Sequence, residues 1–417
     1  MSTSRLLLAA MLLAVTTSSL SAQQWTRFRG PNGSGIAPAA DIPSAPQPSD
    51  FNWKVKLPGL GHSSPSIWGN RVFLMSADPD SGLRYVVCLD AQTGKTIWQK
   101  EFAAGASHLH SKSSYASCSP AVDDMHLYVA WADDEQTILM ALNHDGETSW
   151  RIDLGPWVSQ HGFGTSPIVL DDKVIISLMQ LGDEGKLRGR PIGKSRLVAF
   201  DRKTGERVWE VERESDVAAY SVPCLYEGKD GQKMLICNSS AHGIAGHDPE
   251  TGKQLWNEKV FNMRSVSSPV VAGNLVLGSS GSGGGGNTIS AVDPNGGEPK
   301  LVWKMARQAS YVPTPVAYEG KLFVWYDKGI VSCLDAATGK VLGQKRIGGN
   351  YYGSPVLVGD RLFCISEEGN LVVVSADTNL EVLGETSLGE GSESTPSISD
   401  GVMYLRTYSH LMSLGGK

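Results

Sequence analysis

Short apolar runs alternate with polar turns along most of the chain, and the alternation recurs as eight copies of one pattern. Each copy opens with a small hydroxyl residue close to a proline, followed by an apolar run. The prolines are Pro65, Pro120, Pro167, Pro223, Pro269, Pro315, Pro355 and Pro396, spaced 55, 47, 56, 46, 46, 40 and 41 residues apart. Self-similarity at this period predicts a stacked or circular array. In the first copy, Ser63–Ile67 is followed by the turn pair Gly69-Asn70, then by strand-forming runs at Arg71–Met75 and Tyr85–Leu89. The polar turn Asp90-Ala91-Gln92-Thr93-Gly94-Lys95 leads into Thr96-Ile97-Trp98. The third copy repeats the turn at Asp201–Glu206 before Trp209, the fourth at Asp248–Lys253 before Trp256, and the sixth at Asp335–Lys340. Four strands in about 40–45 residues is the size of a propeller blade. The predicted fold is all-β: an eight-bladed β-propeller of four-stranded antiparallel blades over residues 51–414.

The eighth copy carries only three strands, at Thr395–Ile398, Val402–Leu405 and His410–Leu414. A spare strand, Phe51–Leu57 with Trp53, precedes the first copy. The N-terminal strand 51–57 is therefore expected to complete the last blade, removing an edge that invites aggregation.

The pattern Ala/Cys-Leu/Phe-Asp-x-x-Thr-Gly-Lys/Glu-x-x-Trp, clearest at residues 88–98 and 199–209, resembles the pyrroloquinoline quinone (PQQ) repeat. Trp25-Thr26-Arg27-Phe28-Arg29-Gly30-Pro31 resembles the lead-in of exported PQQ-like propellers. The resemblance covers 51–414. It implies one of two activities: protein binding without a cofactor, as in BamB-like propellers, or quinoprotein dehydrogenase chemistry with PQQ and calcium. It further implies that Trp53, Trp98, Trp150, Trp209, Trp256 and Trp303 dock neighbouring blades. Blades six and seven depart from the pattern, with Gly343 and Gly384 in the tryptophan slot, so weaker or different docking is expected there. The larger dehydrogenases of the family use a vicinal disulfide over the quinone, and this chain has no adjacent cysteine pair.

Composition agrees with an exported protein. Met1–Ala22 has Arg5, an apolar core from Leu6 to Val15 and a small-residue end, and reads as a signal peptide. Its core is too short to span a bilayer. No cysteine lies near the cut, so neither a lipid anchor nor a transmembrane segment is expected, and the protein reads as periplasmic or secreted. A net charge of −6 without basic stripes argues against a nucleic-acid partner. Residues 23–50 lack apolar periodicity and read as an irregular segment, either docked through Trp25 and Phe28 or mobile. Two insertions, Ala103–Tyr115 and Met179–Ser195, interrupt the ring; the second carries Lys186, Arg188, Arg190 and Lys194. The six cysteines occupy small-residue core slots (Cys88, Cys333), flank the repeat prolines (Cys118, Cys224) or lie in apolar strands (Cys237, Cys364), and are expected to be free buried thiols.

Chemistry is expected where each blade's first strand begins. In propellers this strand is innermost, so the residues leading into it ring one mouth of the channel. They are His62, Tyr115, His161, Tyr220, Arg264, Tyr311, Tyr352 and Glu393. His62 and Glu393 share one offset from their prolines, in blades that closure makes neighbours. His62, His108, His110 and His161 are candidate nitrogen ligands for zinc or copper, though no spacing among them is a metal signature. The alternative is a water-filled mouth with hydrogen-bonded histidines. Gly278–Asn287 reads as an anion cradle or a plain loop. Asp123-Asp124 and Asp171-Asp172 read as turn formers. The sequence thus predicts a non-catalytic binding or scaffold module for a protein partner or small ligand. PQQ-dependent oxidoreductase activity and metal-dependent activity at the histidine-lined mouth are the alternatives.

Overall fold

The structure, a computed structural model, describes residues 24–184, 189, 191–296 and 298–416. The expected signal peptide, and Lys186, Arg188 and Arg190 of the second insertion, lie outside them. Two strands precede the repeats, β1 (Ile36–Ala37) and β2 (Phe51–Lys56). Blade one is the antiparallel meander β3 (Ser66–Trp68), β4 (Arg71–Ala77), β5 (Arg84–Asp90) and β6 (Thr96–Phe102). Copies two to seven each form the same four-stranded sheet. The second and third strands of each blade are buried almost throughout. The outermost strands alternate between exposed and half-buried positions, as a strand with one solvated face must.

Blade eight is completed by β2. It pairs antiparallel with His410–Gly415, placing Trp53 opposite Ser413 and Val55 opposite Leu411. The chain thus closes its own ring, as the sequence predicts. Blade seven gains a fifth strand, because β1 lies parallel to Val356–Val358 at its inner edge.

The polar turns set the blade-to-blade joints. Asp90 Oδ1 accepts the N–H groups of Gln92 and Thr93 and the Thr93 hydroxyl, which folds the turn and leaves Gly94 at φ 69°. A tryptophan of the preceding blade lies flat on that glycine. A Cβ at Gly94 would sit 2.6 Å from the Trp53 ring, and one at Gly205 2.7 Å from Trp150. The indole N–H then donates to a carbonyl of the same turn: Trp53 to Ala91, Trp98 to His144, Trp150 to Arg202, Trp209 to Pro249 and Trp303 to Ala336. The corresponding turn of blade five lacks Thr-Gly (Asp293-Pro294-Asn295-Gly296), and Trp256 packs instead on Gly246 of its own blade, its N–H donating to Met234 Sδ at 3.1 Å. Where Gly343 and Gly384 replace the tryptophan, main chain fills the slot. The Thr378 carbonyl packs on Gly343 and the Ser44 carbonyl on Gly384.

Around the channel, the residue before each repeat proline links neighbouring blades. Ser64 N donates to Ser119 Oγ, Ser119 N to Ser166 Oγ, Val222 N to Ser268 Oγ, Ser268 N to Thr314 Oγ1, Thr314 N to Ser354 Oγ, Ser354 N to Thr395 Oγ1 and Thr395 N back to Ser64 Oγ. Blade four carries Val222 at this position and has no hydroxyl to offer. The recurrent hydroxyl of the sequence pattern is therefore an inter-blade hydrogen-bond acceptor.

The segment before β2 is docked. Trp25 is fully buried and its carbonyl accepts the Ile67 N–H of blade one. Arg27 donates to the Pro223 carbonyl of blade four. Arg29 is also fully buried, and its nitrogens reach five carbonyls: Gly33 and Ser34 of its own turn, and Thr314, Pro315 and Pro355 of blades six and seven. This segment stoppers one end of the channel. The aromatic anchors proposed from sequence are joined by two arginines that sequence reading overlooked. All six cysteines are buried and unpaired.

Candidate functional site

Because Phe28 and the hydroxyl ring form a floor, the channel is a blind cavity of about 470 Å³ open at the opposite mouth. All eight blades contribute to its wall. Of the residues predicted from sequence, His62, His161, Tyr220, Arg264, Tyr311, Tyr352 and Glu393 border it, together with His110. Tyr115 does not. Its hydroxyl is engaged by the backbone of Ser107, and the Arg84 guanidinium lies 4.5 Å from its ring centre. Tyr115 therefore braces the base of the first insertion, and its placement at the mouth is corrected. His108 is exposed and does not border the cavity either.

The wall divides into two groups. In the first, His62 Nδ1 lies 3.4 Å from Glu393 Oε2, and the His62 ring packs beside Tyr408. Burial pushes the Glu393 carboxyl up to about 7, against the pull of Lys112. Burial, aided by the charges of Arg406 and Lys112, pushes His62 down to about 3. At neutral pH the imidazole is uncharged, and burial shifts the carboxyl toward its protonated form. Lys112 crosses the mouth from the first insertion to pair with Glu367, lies 3.9 Å from Glu393 Oε1, and sits over the Tyr352 ring.

The second group surrounds Arg264. Its Nε donates to Ala218 O and its Nη2 to Gln160 Oε1, both at 2.9 Å. Burial raises the Tyr220 phenol to about 12, and it raises Tyr311 as well, against the charge and hydrogen bond of Arg264. His161 stands edge-on to His110, with ring centres 4.6 Å apart, and burial holds it down to about 4. Its buried Nδ1 has no hydrogen-bond partner among the described residues. The first insertion thus serves both groups, through His110 and Lys112.

Asp327 and Lys328 also border the cavity, as do Ser282, Gly283, Gly285 and Asn287 of the glycine-rich loop. The Asp327 carboxylate accepts the N–H groups of Tyr311 and Val312, while burial raises its pKa. The Ser282 hydroxyl donates to the Gly285 carbonyl and its N–H to Asn287 Oδ1, so the loop is a hydrogen-bonded turn. Asp123 ties a blade joint: it accepts from Tyr128 and from Arg202 of the next blade, away from the cavity. Among the described residues, no group of three or more His, Cys, Asp or Glu side chains gathers in a way that could hold a metal ion.

The profile of the family described as outer membrane protein assembly factor BamB matches residues 82–345 and 327–413. The protein of that name from Yersinia pestis is 22% identical over 357 residues, covering 74% of this chain and 83% of its own. Tetrathionate hydrolase of Acidithiobacillus ferrooxidans is 24% identical over 318 residues, covering 75% of this chain; the match spans 50% of that protein. Among solved structures, a europium-containing methanol dehydrogenase superposes with a TM-score of 0.70 at 14% identity, covering 93% of this chain and 90% of that one. BamB from Moraxella catarrhalis superposes with a TM-score of 0.62 at 14% identity, covering 88% and 97%. At these identities the structural likeness is one of fold.

Proposed function

The chain belongs to the outer membrane protein assembly factor BamB family, and on that premise we propose that it is an exported, non-catalytic binding propeller that engages its partner at the open mouth of the channel. The observation that carries this reading is the asymmetry of the two ends. One end is stoppered by residues 25–35, where Arg27 and Arg29 donate to carbonyls of blades four, six and seven. The other opens a cavity walled by all eight blades and crossed by the insertion that carries His110 and Lys112. Loops on a rigid scaffold are where recognition usually sits. The named activity of the Yersinia relative, assembly of outer-membrane proteins, favours a protein as the partner.

The alternative, a quinoprotein oxidoreductase, asks the same cavity for PQQ and calcium. The acids that border it do not fit that demand. Asp327 and Glu393 stand in blades six and eight, Glu393 against His62 and near Lys112, and among the described residues neither belongs to a group of three or more His, Cys, Asp or Glu side chains that could hold a metal ion.

The test is site-specific photo-crosslinking in the native cell. Benzoylphenylalanine at exposed positions 111 and 284, beside the mouth, is expected to capture a partner, and at position 32, on the stoppered end, to capture none. Capture only from position 32 overturns the proposal. So does a bound-quinone absorption band after addition of PQQ and calcium.

A further inference from the structure

We propose that the cavity seats the carboxylate end of its ligand on Arg264, the ligand being an organic acid or the free C terminus of an extended peptide. The inference rests on the binding reading above and adds the chemistry of what is bound. A guanidinium cannot shed its charge, so where it is partly buried it needs compensation. Arg264 is partly buried, yet its partners, Ala218 O, Gln160 Oε1 and the Tyr311 phenol, are all neutral. Among the described residues no carboxylate pairs with it.

The surroundings do not supply the missing charge. Tyr220, Tyr311 and His161 are all neutral at physiological pH. The cavity's acids are turned elsewhere: Lys112 pairs with Glu367, Glu393 faces His62, Asp327 accepts two backbone N–H groups, and neither Glu393 nor Asp327 forms an ion pair with Arg264. Lys328 adds a second cation to the wall. The floor is also rich in donors. Ser268, Thr314, Ser354 and Thr395 each accept a backbone N–H, which leaves the hydroxyl proton to be given to a ligand. Aromatic walls at Phe28, Phe163, Tyr220 and Tyr352 suit an apolar body behind the anion. The planar fork of an arginine matches a carboxylate in particular. The cavity has room for a small acid or for one or two terminal residues.

The experiment reads the modification of Arg264 by phenylglyoxal, an arginine-selective reagent, by peptide mass spectrometry on the full chain. 4-Phenylbutanoate is expected to slow modification at Arg264 by about fivefold or more, and 4-phenylbutanamide to leave it unchanged. The fully buried Arg29 and Arg406 should remain unmodified throughout and report that the fold is intact. Peptides ending in a free carboxylate, compared with the same peptides amidated, separate the two sources: protection by peptide acids assigns a C terminus, and protection by the small acid alone assigns a metabolite. Arg264→Gln should abolish calorimetric binding of 4-phenylbutanoate, and Arg264→Lys should retain a weakened form. Equal protection by acid and amide, no protection at tens of millimolar, or unchanged binding by a folded Arg264→Gln protein each overturn the proposal. Crosslinking at positions 111 and 284 does not depend on ligand charge, so mouth adducts without carboxylate protection would sink this inference and leave the binding reading standing.

Discussion

His62 Nδ1 and Glu393 Oε2 lie 3.4 Å apart across the joint between blades one and eight, with Lys112, Arg406, Tyr352 and Tyr408 as the charged and titratable groups around them. Burial raises the Glu393 pKa from 4.5 to about 7. The native state therefore holds a proton that the unfolded chain releases, and stability falls as pH rises from about 4.5 to about 7. Glu393→Gln removes that loss. Its melting temperature should exceed that of the parent at pH 8, by an amount worth at most about 3 kcal/mol, and converge with it near pH 4.5. A gap independent of pH would show that Glu393 is ionised in both states. His62 works in the opposite window: its depressed pKa costs stability as pH falls below about 6.5.

Arg29 should not tolerate lysine. Its guanidinium serves five carbonyls in a fully buried site, whereas an ammonium has three donors in a different geometry. Arg29→Lys and Arg29→Met are both expected to lower unfolding free energy by about 3–5 kcal/mol, since each strands buried acceptors. Urea denaturation measures it. A lysine variant as stable as the parent would mean that charge alone matters there.

The joint that closes the ring can be dissected by a double-mutant cycle. Trp53 covers Gly94 and donates to Ala91 O at 3.1 Å. Trp53→Ala should cost about 2–3 kcal/mol, less than a fully buried aromatic because the ring is only half-buried. Gly94→Ala should cost about as much, because its φ of 69° and the indole both oppose a Cβ. The two losses should fall well short of additive, since each removes the same contact. Strict additivity would separate the two residues energetically. Deleting residues 51–57 should go further and produce aggregation from the freed edge of His410–Gly415.

Gly343 and Gly384 make a sharper test. Sequence reading assigns them weaker or different docking, and the structure replaces the tryptophan with backbone. Gly343→Ala and Gly384→Ala should each destabilise by more than about 2 kcal/mol, since main chain cannot step aside as a side chain can. Gly69→Ala is the control. It meets nothing within 4 Å and carries only the cost of φ 55°, about 1 kcal/mol. Thermal melts of the three variants decide the ranking.

The ring was legible because its period is local. One proline, one turn and one tryptophan per blade place Trp98 or Asp201 without knowledge of the rest of the chain. The mouth was partly legible for the same reason: His62 and Glu393 share an offset, and closure makes equal offsets neighbours. What stayed hidden comes from another stretch of each blade. Asp327, Lys328, Glu367, Ser282, Asn287 and Tyr408 all lie in hairpins between second and third strands, which turn at the same face as the approach to the first strand. Reading those hairpins alongside the strand approaches would have found them. Arg27 and Arg29 left no such signal. Their acceptors are backbone carbonyls of blades four, six and seven, and a carbonyl has no side chain for a sequence to display.

The stopper carries a consequence in time. Arg29 finds its blade acceptors, Thr314, Pro315 and Pro355, 285 to 326 residues further along the chain, and β2 finds its partner only in the His410–Gly415 strand. This segment precedes every blade along the chain, yet the seat of Arg29 does not exist until blades six and seven have been synthesised, nor that of β2 until blade eight has. Trp25 can meet Ile67 once blade one is made, whereas Arg29 and β2 must wait for their partners while the rest of the circle is laid down. The seating of Arg29 and the pairing of β2 therefore come no earlier than the last blades that the ring contains.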